Sequence, residues 1–136
     1  MSQQTNKLAV VTGASAGIGK AFAFELHNHG YDVHLVARRE ANLLDICERL
    51  NSRRVNSATF SALDLLDPDD CKELELYLSS NDVLLLVNNV GRGSYGYFEQ
   101  LSRGQENDMV TLNVDVPLRL AHAVIPTLFP YTTLFI

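Results

Sequence analysis

The sequence predicts an α/β fold, a doubly wound parallel sheet with helices on both faces. Four short apolar segments alternate with segments of helical period, and the last of them, VLLLV, lacks polar residues, as is typical of a strand buried on both faces. A glycine-rich turn separates the first apolar segment from the first helical one. The 136 residues, 46% of them hydrophobic, suffice for about one small domain.

Lys7 to Thr12 (KLAVVT) is short and rich in β-branched residues, which predicts the first strand. Apolar residues then recur at helical spacing up to Gly30, which is suited to ending a helix. These residues are Ile18, Ala21, Phe22 and Leu26. Asp32 to Val36 (DVHLV) alternates in polarity and predicts the second strand.

The alternation of strands and helices continues along the chain. Val55 to Ser61 predicts the third strand, after a helical segment whose apolar stripe is formed by Leu43, Leu44, Cys47 and Leu50. Asp67 followed by Pro68 predicts the start of a third helix, since an acidic N-cap and a proline at the first helical position are both favoured. Its buried face is expected to consist of Cys71, Leu74 and Leu78.

The fourth strand, Val83 to Val87, precedes a long helical stretch at about Ser102 to Ile125. One side of this stretch is apolar and consists of Met109, Leu112, Val116, Leu120 and Val124. We therefore expect a doubly wound sheet that is truncated after about four strands and the following long helix.

Charge and composition exclude several function classes. A net charge of -5 disfavours a nucleic-acid or anionic membrane surface, since both need a basic face. Cys47 and Cys71 are far apart, and His27 and His29 point to different faces of a helix, so no metal site is predicted. No signal peptide is indicated, and the apolar segment Ala121 to Ile136 is too short for a membrane span. These features predict a cytoplasmic protein with a small-molecule ligand.

The stretch TGASAGIGK, Thr12 to Lys20, has the character of a phosphate-binding turn. A nucleoside-triphosphate loop requires G-x-x-x-x-G-K-[ST], but Ala14 replaces its first glycine and Ala21 its hydroxyl. Three glycines match instead the tight turn, the pyrophosphate contact and the close helix packing of a dinucleotide site, namely Gly13, Gly17 and Gly19. A plain structural turn is the alternative.

Ala37-Arg38-Arg39 follows the second strand, where dinucleotide folds recognise the adenosine ribose. An acid there would bind the 2′-hydroxyl of NAD, whereas an arginine pairs with the 2′-phosphate of NADP. The sequence therefore favours NADP over NAD. In the alternative interpretation, Arg38 and Arg39 are solvated charges before a helix.

Four motifs occur in one order: TGASAGIG, the Asp64 of ALDLLD, NNVG at Asn88 to Gly91, and the Asn113 of TLNVDVP. They resemble the short-chain dehydrogenase/reductase family over about residues 6 to 126. The resemblance implies a Rossmann fold and hydride transfer between NAD(P)H and a small carbonyl or alcohol substrate. The oligomeric state of such a parent protein, a homo-oligomer included, stays open.

The resemblance also implies roles for individual residues. It places Ser15 and Ile18 along the cofactor phosphates, and Arg38 at the adenosine 2′-phosphate. Asp64 and Leu65 would border the adenine.

Further residues of these motifs follow the fourth strand. By the same resemblance, Asn88 would lie beside the cofactor, with Gly91 in the same cofactor-binding motif. Asn113 matches a catalytic asparagine that orders a water next to the active-site lysine; otherwise it is a polar residue satisfied inside a helix. Three aromatic residues between these motifs could line a substrate entrance or pin the loop to the sheet: Tyr95, Tyr97 and Phe98.

The family's chemistry is performed by a serine and a Y-x-x-x-K pair, and neither can be placed in this sequence. None of the five tyrosines is followed four residues later by a lysine. In the family these elements follow the helix of Asn113, so we expect an N-terminal portion that is itself inactive. The alternative is a dinucleotide-binding or sensing module that has no catalytic role.

Residues 1–126 are thus predicted to be an NAD(P)-binding domain, and residues 127–136 a non-native tail. Thr127 to Phe135 (TLFPYTTLF) is the translation of a DNA run that resembles a common short-read sequencing adapter. The alternative is a genuine apolar β-segment, to which threonine and tyrosine are suited. The boundary at Pro126 is therefore a hypothesis about the coding DNA.

Overall fold

The computed structural model describes residues 7–128 and shows a parallel sheet with helices on both faces. The strands are β1 (Lys7–Thr12), β2 (Tyr31–Ala37), β3 (Ala58–Ala62) and β4 (Val83–Val87), in the order β3-β2-β1-β4. The helices are α1 (Gly17–Asn28), α2 (Glu40–Arg53), α3 (Pro68–Ser80), α4 (Arg103–Val110) and α5 (Val116–Leu128). The predicted doubly wound, Rossmann-type sheet is confirmed.

Two apolar cores lie on opposite faces of the sheet. Ala9 and Val11 of β1 face the core formed with α1 and α2, whereas Val10 faces the core formed with α3 and α5. Because successive side chains of a strand point to opposite faces, β1 is buried on both sides, and its central residues Leu8 to Val11 are all apolar.

The third helix begins as predicted. The Asp67 carboxylate accepts hydrogen bonds from the backbone N–H groups of Asp69 (2.8 Å) and Asp70 (3.3 Å), and Pro68 is the first helical residue. The side chains predicted to be buried on this helix, Cys71, Leu74 and Leu78, are all buried.

Two details of the α2–β3 unit differ from the prediction. The third strand begins at Ala58 rather than Val55, because Asn56 adopts a left-handed turn (φ 56°) that leaves Val55 80% exposed. In α2, Leu44 is 48% exposed, and Ile46 completes the buried stripe in its place.

The long helical stretch predicted at Ser102 to Ile125 is divided by a π-helical turn at Thr111–Asp115. Met109, before this turn, is half-buried, whereas the later members of its stripe are buried. Helix α5 continues through Pro126 to Leu128, which is buried in the second core. Residues 129–136 lie outside the described residues, so the non-native tail stays a prediction that resequencing of the coding DNA tests.

Parallel strands end at the same edge of the sheet, and here the strand order reverses at β1. The chain winds outward to β2 and β3 on one side and then returns to place β4 on the other side. Such a switch point opens a crevice beyond the carboxyl ends of the strands, because the neighbouring crossovers leave in opposite directions.

Candidate functional site

A cleft of about 550 Å³ lies at this switch point. Its walls are the ends of the strands and the loops that follow β1, β2, β3 and β4. Six of the residues predicted to bind a cofactor line it: Gly13, Ser15, Arg38, Asp64, Leu65 and Gly91. Residues from four separate loops therefore meet in one crevice, as ligand sites of doubly wound sheets do.

The three glycines of the turn after β1 have distinct local requirements. Gly13 (φ 66°) and Gly17 (φ 55°) adopt left-handed conformations that a side chain would strain. At Gly19 a Cβ atom would lie 2.3 Å from the Gly13 carbonyl oxygen and 2.5 Å from Nδ2 of Asn89, so α1 packs there only without a side chain. The neighbouring Ile18 is 70% exposed and does not line the cleft.

Thr12 and Asn89 fix the turn against β4. The Thr12 hydroxyl donates to the Val87 carbonyl (3.3 Å) and accepts from the backbone N–H groups of Asn89 (3.0 Å) and Val90 (3.1 Å). In return, the Asn89 amide donates to the carbonyl oxygens of Thr12 (3.1 Å) and Gly13 (3.3 Å). The cleft floor is thus a hydrogen-bonded unit rather than two independent loops.

The loop that follows β2 forms a basic wall of the cleft. Arg38 and Arg39 both line it, and Arg39 donates from Nη2 to the Ser15 hydroxyl at 3.1 Å. Among the described residues, the charged groups of the lining are three arginines and one aspartate, in a chain whose net charge is -5. An anion is therefore the ligand that this part of the surface attracts most strongly.

Asp64 lines the cleft on the turn after β3, the strand that neighbours β2. Its carboxylate accepts from the Leu66 backbone N–H (3.1 Å), and its own N–H donates to the Asp70 carboxylate (2.8 Å). These bonds hold the turn between β3 and α3, with Leu65 packed into the core below it. The carboxylate is thereby kept in a fixed orientation at the cleft wall.

The two asparagines of NNVG point in different directions. Asn88 turns toward α5, where its amide donates to the Pro117 carbonyl at 3.3 Å, and its Oδ1 is buried without a partner among the described residues. Asn89 instead lines the cleft. The structure therefore places the second asparagine, and not the predicted first one, at the cleft wall.

Asn113 lies in the π-helical turn, an irregularity that is frequent at functional sites. Its Oδ1 accepts from the Arg92 backbone N–H (2.8 Å), and its Nδ2 donates to the Arg92 carbonyl (2.7 Å). The amide thus pairs with a peptide unit on the loop after β4, and Oδ1 lies 3.2 Å from where a Gly91 Cβ would stand. Asn113 thus contacts the loop that lines the β4 side of the cleft, but does not itself line the cleft.

Sequence reasoning missed several lining residues. Arg39 and Asn89 could have been found by their adjacency to Arg38 and Asn88 in the ARR and NNVG motifs. Arg92 gave no such signal, since its position depends on the loop after β4, and its guanidinium pairs with Asp108 at 3.6 Å. The aromatic residues of this loop do not line the cleft and are largely exposed: Tyr95, Tyr97 and Phe98.

The fold and its cleft at the switch point are those of a Rossmann-type protein, and comparison with known proteins gives the family. The family model described as short chain dehydrogenase matches residues 7–131. The chain belongs to the short-chain dehydrogenase family.

Individual proteins that are similar in sequence or structure support this assignment. A very-long-chain 3-oxoacyl-CoA reductase of Laccaria bicolor is 36% identical over 122 residues, which are 87% of this chain and 36% of the relative. The bulky-bulky ketone specific alcohol dehydrogenase of Comamonas testosteroni superposes with a TM-score of 0.84 at 32% identity, covering 87% of this chain and 48% of that chain. A short-chain dehydrogenase of Sphingobium yanoikuyae in complex with NADPH gives 0.85 at 32% identity, covering 88% and 48%. The chain thus spans about a third to a half of the length of these relatives.

The described residues contain neither a metal-binding cluster nor a membrane-spanning helix. Within residues 7–128, no group of three or more His, Cys, Asp or Glu side chains is arranged to hold a metal ion. None of the helices in that same range combines the length and the apolar character that crossing a bilayer requires.

Proposed function

We propose that this chain is the cofactor-binding portion of an NADP-dependent oxidoreductase that transfers hydride between NADP(H) and a small carbonyl or alcohol. The observation that carries the proposal is the basic wall after β2, where Arg38 and Arg39 line a cleft that also contains the glycine-rich turn. NADPH would supply the hydride; the chain described here would supply its binding surface.

The preference for NADP rests on charge. A 2′-phosphate near Arg38 forms charge-assisted hydrogen bonds to a planar guanidinium, whereas a 2′-hydroxyl gains much less. The acidic residue that would favour NAD is absent from Ala37-Arg38-Arg39. The NADPH in the related Sphingobium yanoikuyae structure supports the same choice.

The other residues around the cleft would contact the remaining parts of the cofactor. The turn Gly13 to Gly17 would accept the pyrophosphate at the N-terminus of α1, where free backbone N–H groups favour an anion. Asp64 and Leu65 would border the adenine on the turn after β3, beside the loop that carries the arginines. Asn113 would act at the other end of the cleft, as the family's catalytic asparagine.

We infer that these 136 residues bind the cofactor without performing the reaction. The proton relay of the proposed chemistry needs a tyrosine whose pKa is lowered by a nearby lysine. No tyrosine in the sequence has a lysine four residues after it, and the three lysines all precede the fourth strand. A dinucleotide-binding module that has no catalytic role shares these features and is the second candidate.

The test is a binding titration of the purified chain, using the quenching or enhancement of nicotinamide fluorescence. We expect NADPH to bind more tightly than NADH, and adenosine 2′,5′-bisphosphate to compete more strongly than 5′-AMP. Equal affinities for NADPH and NADH would contradict the NADP preference. Binding of neither nucleotide by a folded chain would contradict the cofactor site itself.

A further inference from the structure

We propose that two copies of this chain associate through one apolar surface, the β4–α5 face. This face consists of the edge of β4 that is not paired with β1 and of the exposed apolar side chains beside it, Val110, Val114, Leu118 and Ile125. β4 ends the strand order β3-β2-β1-β4, so its free edge has no neighbouring strand among the described residues. Such a pairing is independent of cofactor binding.

Helix α5 lies between α3 and the free edge of the sheet. Tyr77 of α3 stacks on His34 of β2 with 4.0 Å between the ring centroids, so α3 lies over the β2 side of the sheet. Helix α5 contacts α3 through Arg119, whose Nε and Nη2 donate to the Glu75 carboxylate at 2.7 and 3.1 Å. The flank of α5 away from Arg119 therefore faces the β4 end of the sheet.

That flank carries the exposed apolar side chains. An α-helix turns by about 100° per residue, and Leu120 and Val124 face the core. Leu118 and Ile125 then lie on the side of this buried row away from Arg119. None of the side chains that form the β4–α5 face is charged, whereas the whole chain has a net charge of -5. Two copies of an acidic chain therefore repel each other least where these faces meet.

The sequence of β4 makes its free edge self-complementary. VLLLV, Val83 to Val87, reads the same in both directions. In an antiparallel pair with a two-fold axis at Leu85, Val83 of one copy lies beside Val87 of the other, and leucine lies beside leucine. The next positions place Asp82 beside Asn88, so like charges do not face each other there. A second copy thus matches this edge and supplies partners for its free backbone groups.

The other end of the sheet is less suited to pairing. β3 (ATFSA) carries two hydroxyl side chains, Thr59 and Ser61, and both bond to the ring of His34. β4 instead contains neither a polar residue nor any of the lysines and prolines that commonly protect an exposed edge. These differences favour the β4 edge as the one that a second copy covers.

The same two-fold axis brings the α5 helices together. Residues directly opposite each other in an antiparallel pair point to one face of the sheet, so both α5 helices lie on the same face. β4 is about 17 Å long and α5 about 20 Å long, so an axis through the middle of the strand also passes near the middle of the helix. Leu118 and Ile125 stand on either side of this middle. Leu118 of one copy therefore lies near Ile125 of the other.

The experiment measures the mass of the full chain by sedimentation equilibrium, from about 1 to about 100 μM, a range that covers weak and moderate affinities. We expect the average mass to rise from that of one chain to that of two. Leu118→Lys places like charges close to the axis and should weaken the dimer by at least about tenfold. Leu76→Lys is the matched control, because Leu76 is as exposed as Leu118 (58% and 57%) but lies on α3. It should leave the dimer unchanged.

Amide hydrogen exchange tests the strand edge separately. The β4 N–H groups that do not pair with β1 should exchange slowly at high chain concentration and faster at low concentration, because only the dimer gives them partners. Exchange that does not depend on concentration would show that β4 is not in the interface and would overturn the proposal.

Three results of the mass measurement would also overturn it. The first is a single-chain mass over the whole range, and the second is a mass that rises beyond two chains, since a two-fold interface closes on itself. The third is equal behaviour of Leu118→Lys and Leu76→Lys, which would place the contact elsewhere. If Leu118→Lys does not fold, Val114→Lys decides by the same comparison, with Val55→Lys as its control, since both valines are exposed and only Val114 is on the β4–α5 face.

Discussion

Thr12 and Asn89 exchange hydrogen bonds across the ends of β1 and β4, each through both backbone and side chain. The Thr12 hydroxyl accepts from the Asn89 backbone N–H at 3.0 Å, and the Asn89 amide donates to the Thr12 carbonyl at 3.1 Å. Thr12 is fully buried, so these groups have few alternative partners. The pair holds the glycine-rich turn in the shape that the cleft requires.

Thr12→Val should therefore destabilise the chain although it keeps the side-chain volume. The N–H groups of Asn89 and Val90 lose their acceptor, at a cost of about 1–3 kcal/mol in the free energy of unfolding. Urea denaturation measures this cost. Thr12→Ser keeps the hydroxyl and should be the more stable of the two variants; the reverse order would show that the hydrogen bonds contribute little.

Gly19→Ala should distort the turn and weaken NADPH binding by at least about tenfold. The new methyl group would lie 2.3 Å from the Gly13 carbonyl oxygen, so the backbone must move, which typically costs about 1–3 kcal/mol. Fluorescence titration and thermal denaturation measure the two effects. Gly93→Ala is the control, because no described atom lies within 4 Å of its added Cβ. Equal behaviour of the two variants would contradict the close packing at Gly19.

Arg38→Asp should reverse or reduce the preference for NADPH. The substitution replaces a charge-assisted contact by repulsion of the 2′-phosphate, and the relative binding free energy of NADPH and NADH should change by roughly 1–3 kcal/mol. The measurement is the ratio of the two dissociation constants. An unchanged ratio in a folded variant would identify Arg38 as a solvated surface charge.

His34 should make stability depend on pH below neutrality. Its ring nitrogens lie 2.8 Å from the Thr59 hydroxyl and 3.0 Å from the Ser61 hydroxyl, and the ring stacks on Tyr77. Burial lowers the pKa of the His34 imidazole from 6.5 to about 4. The unfolded chain therefore binds the proton more readily, so the stabilising contribution is complete above the unfolded pKa and is lost as the pH falls toward 4.

The comparison that isolates this effect is wild type against His34→Gln, by urea denaturation at about pH 7.5 and about pH 5. Wild type should lose about 2 kcal/mol more than the variant between these two values. The lowered pKa of His27 is common to both proteins and cancels in the difference. Parallel pH profiles would contradict a neutral, buried His34.

The purified chain should bind NADPH without oxidising it in the presence of small ketones or aldehydes. The reason is the missing Tyr-x-x-x-Lys pair, which leaves no group to give the proton to the carbonyl oxygen. The test follows the absorbance of NADPH over time at a fixed substrate concentration and compares it with a control that lacks the protein. A rate proportional to chain concentration and lost in Asn113→Ala would contradict the prediction.

Much of the architecture could be predicted from local sequence patterns. The unbroken apolar run of β4, the Asp67-Pro68 start of α3 and the Gly30 end of α1 each depend on neighbours a few residues away, and each lies close to its predicted place. The strand after α2 was placed too early at Val55, because the left-handed turn at Asn56 has no strong sequence signal.

Local patterns in the sequence were enough to predict the α/β fold and the family, because strand and helix periods and the glycine spacing of the turn depend on residues close together in the chain. Which side chains meet in the cleft depends instead on the tertiary structure. It turned Asn89 rather than Asn88 to the wall and joined Arg39 to Ser15. It also paired Asn113 with the Arg92 backbone. These contacts join residues that are far apart in the sequence, and the order of the strands in the sheet brings their loops together.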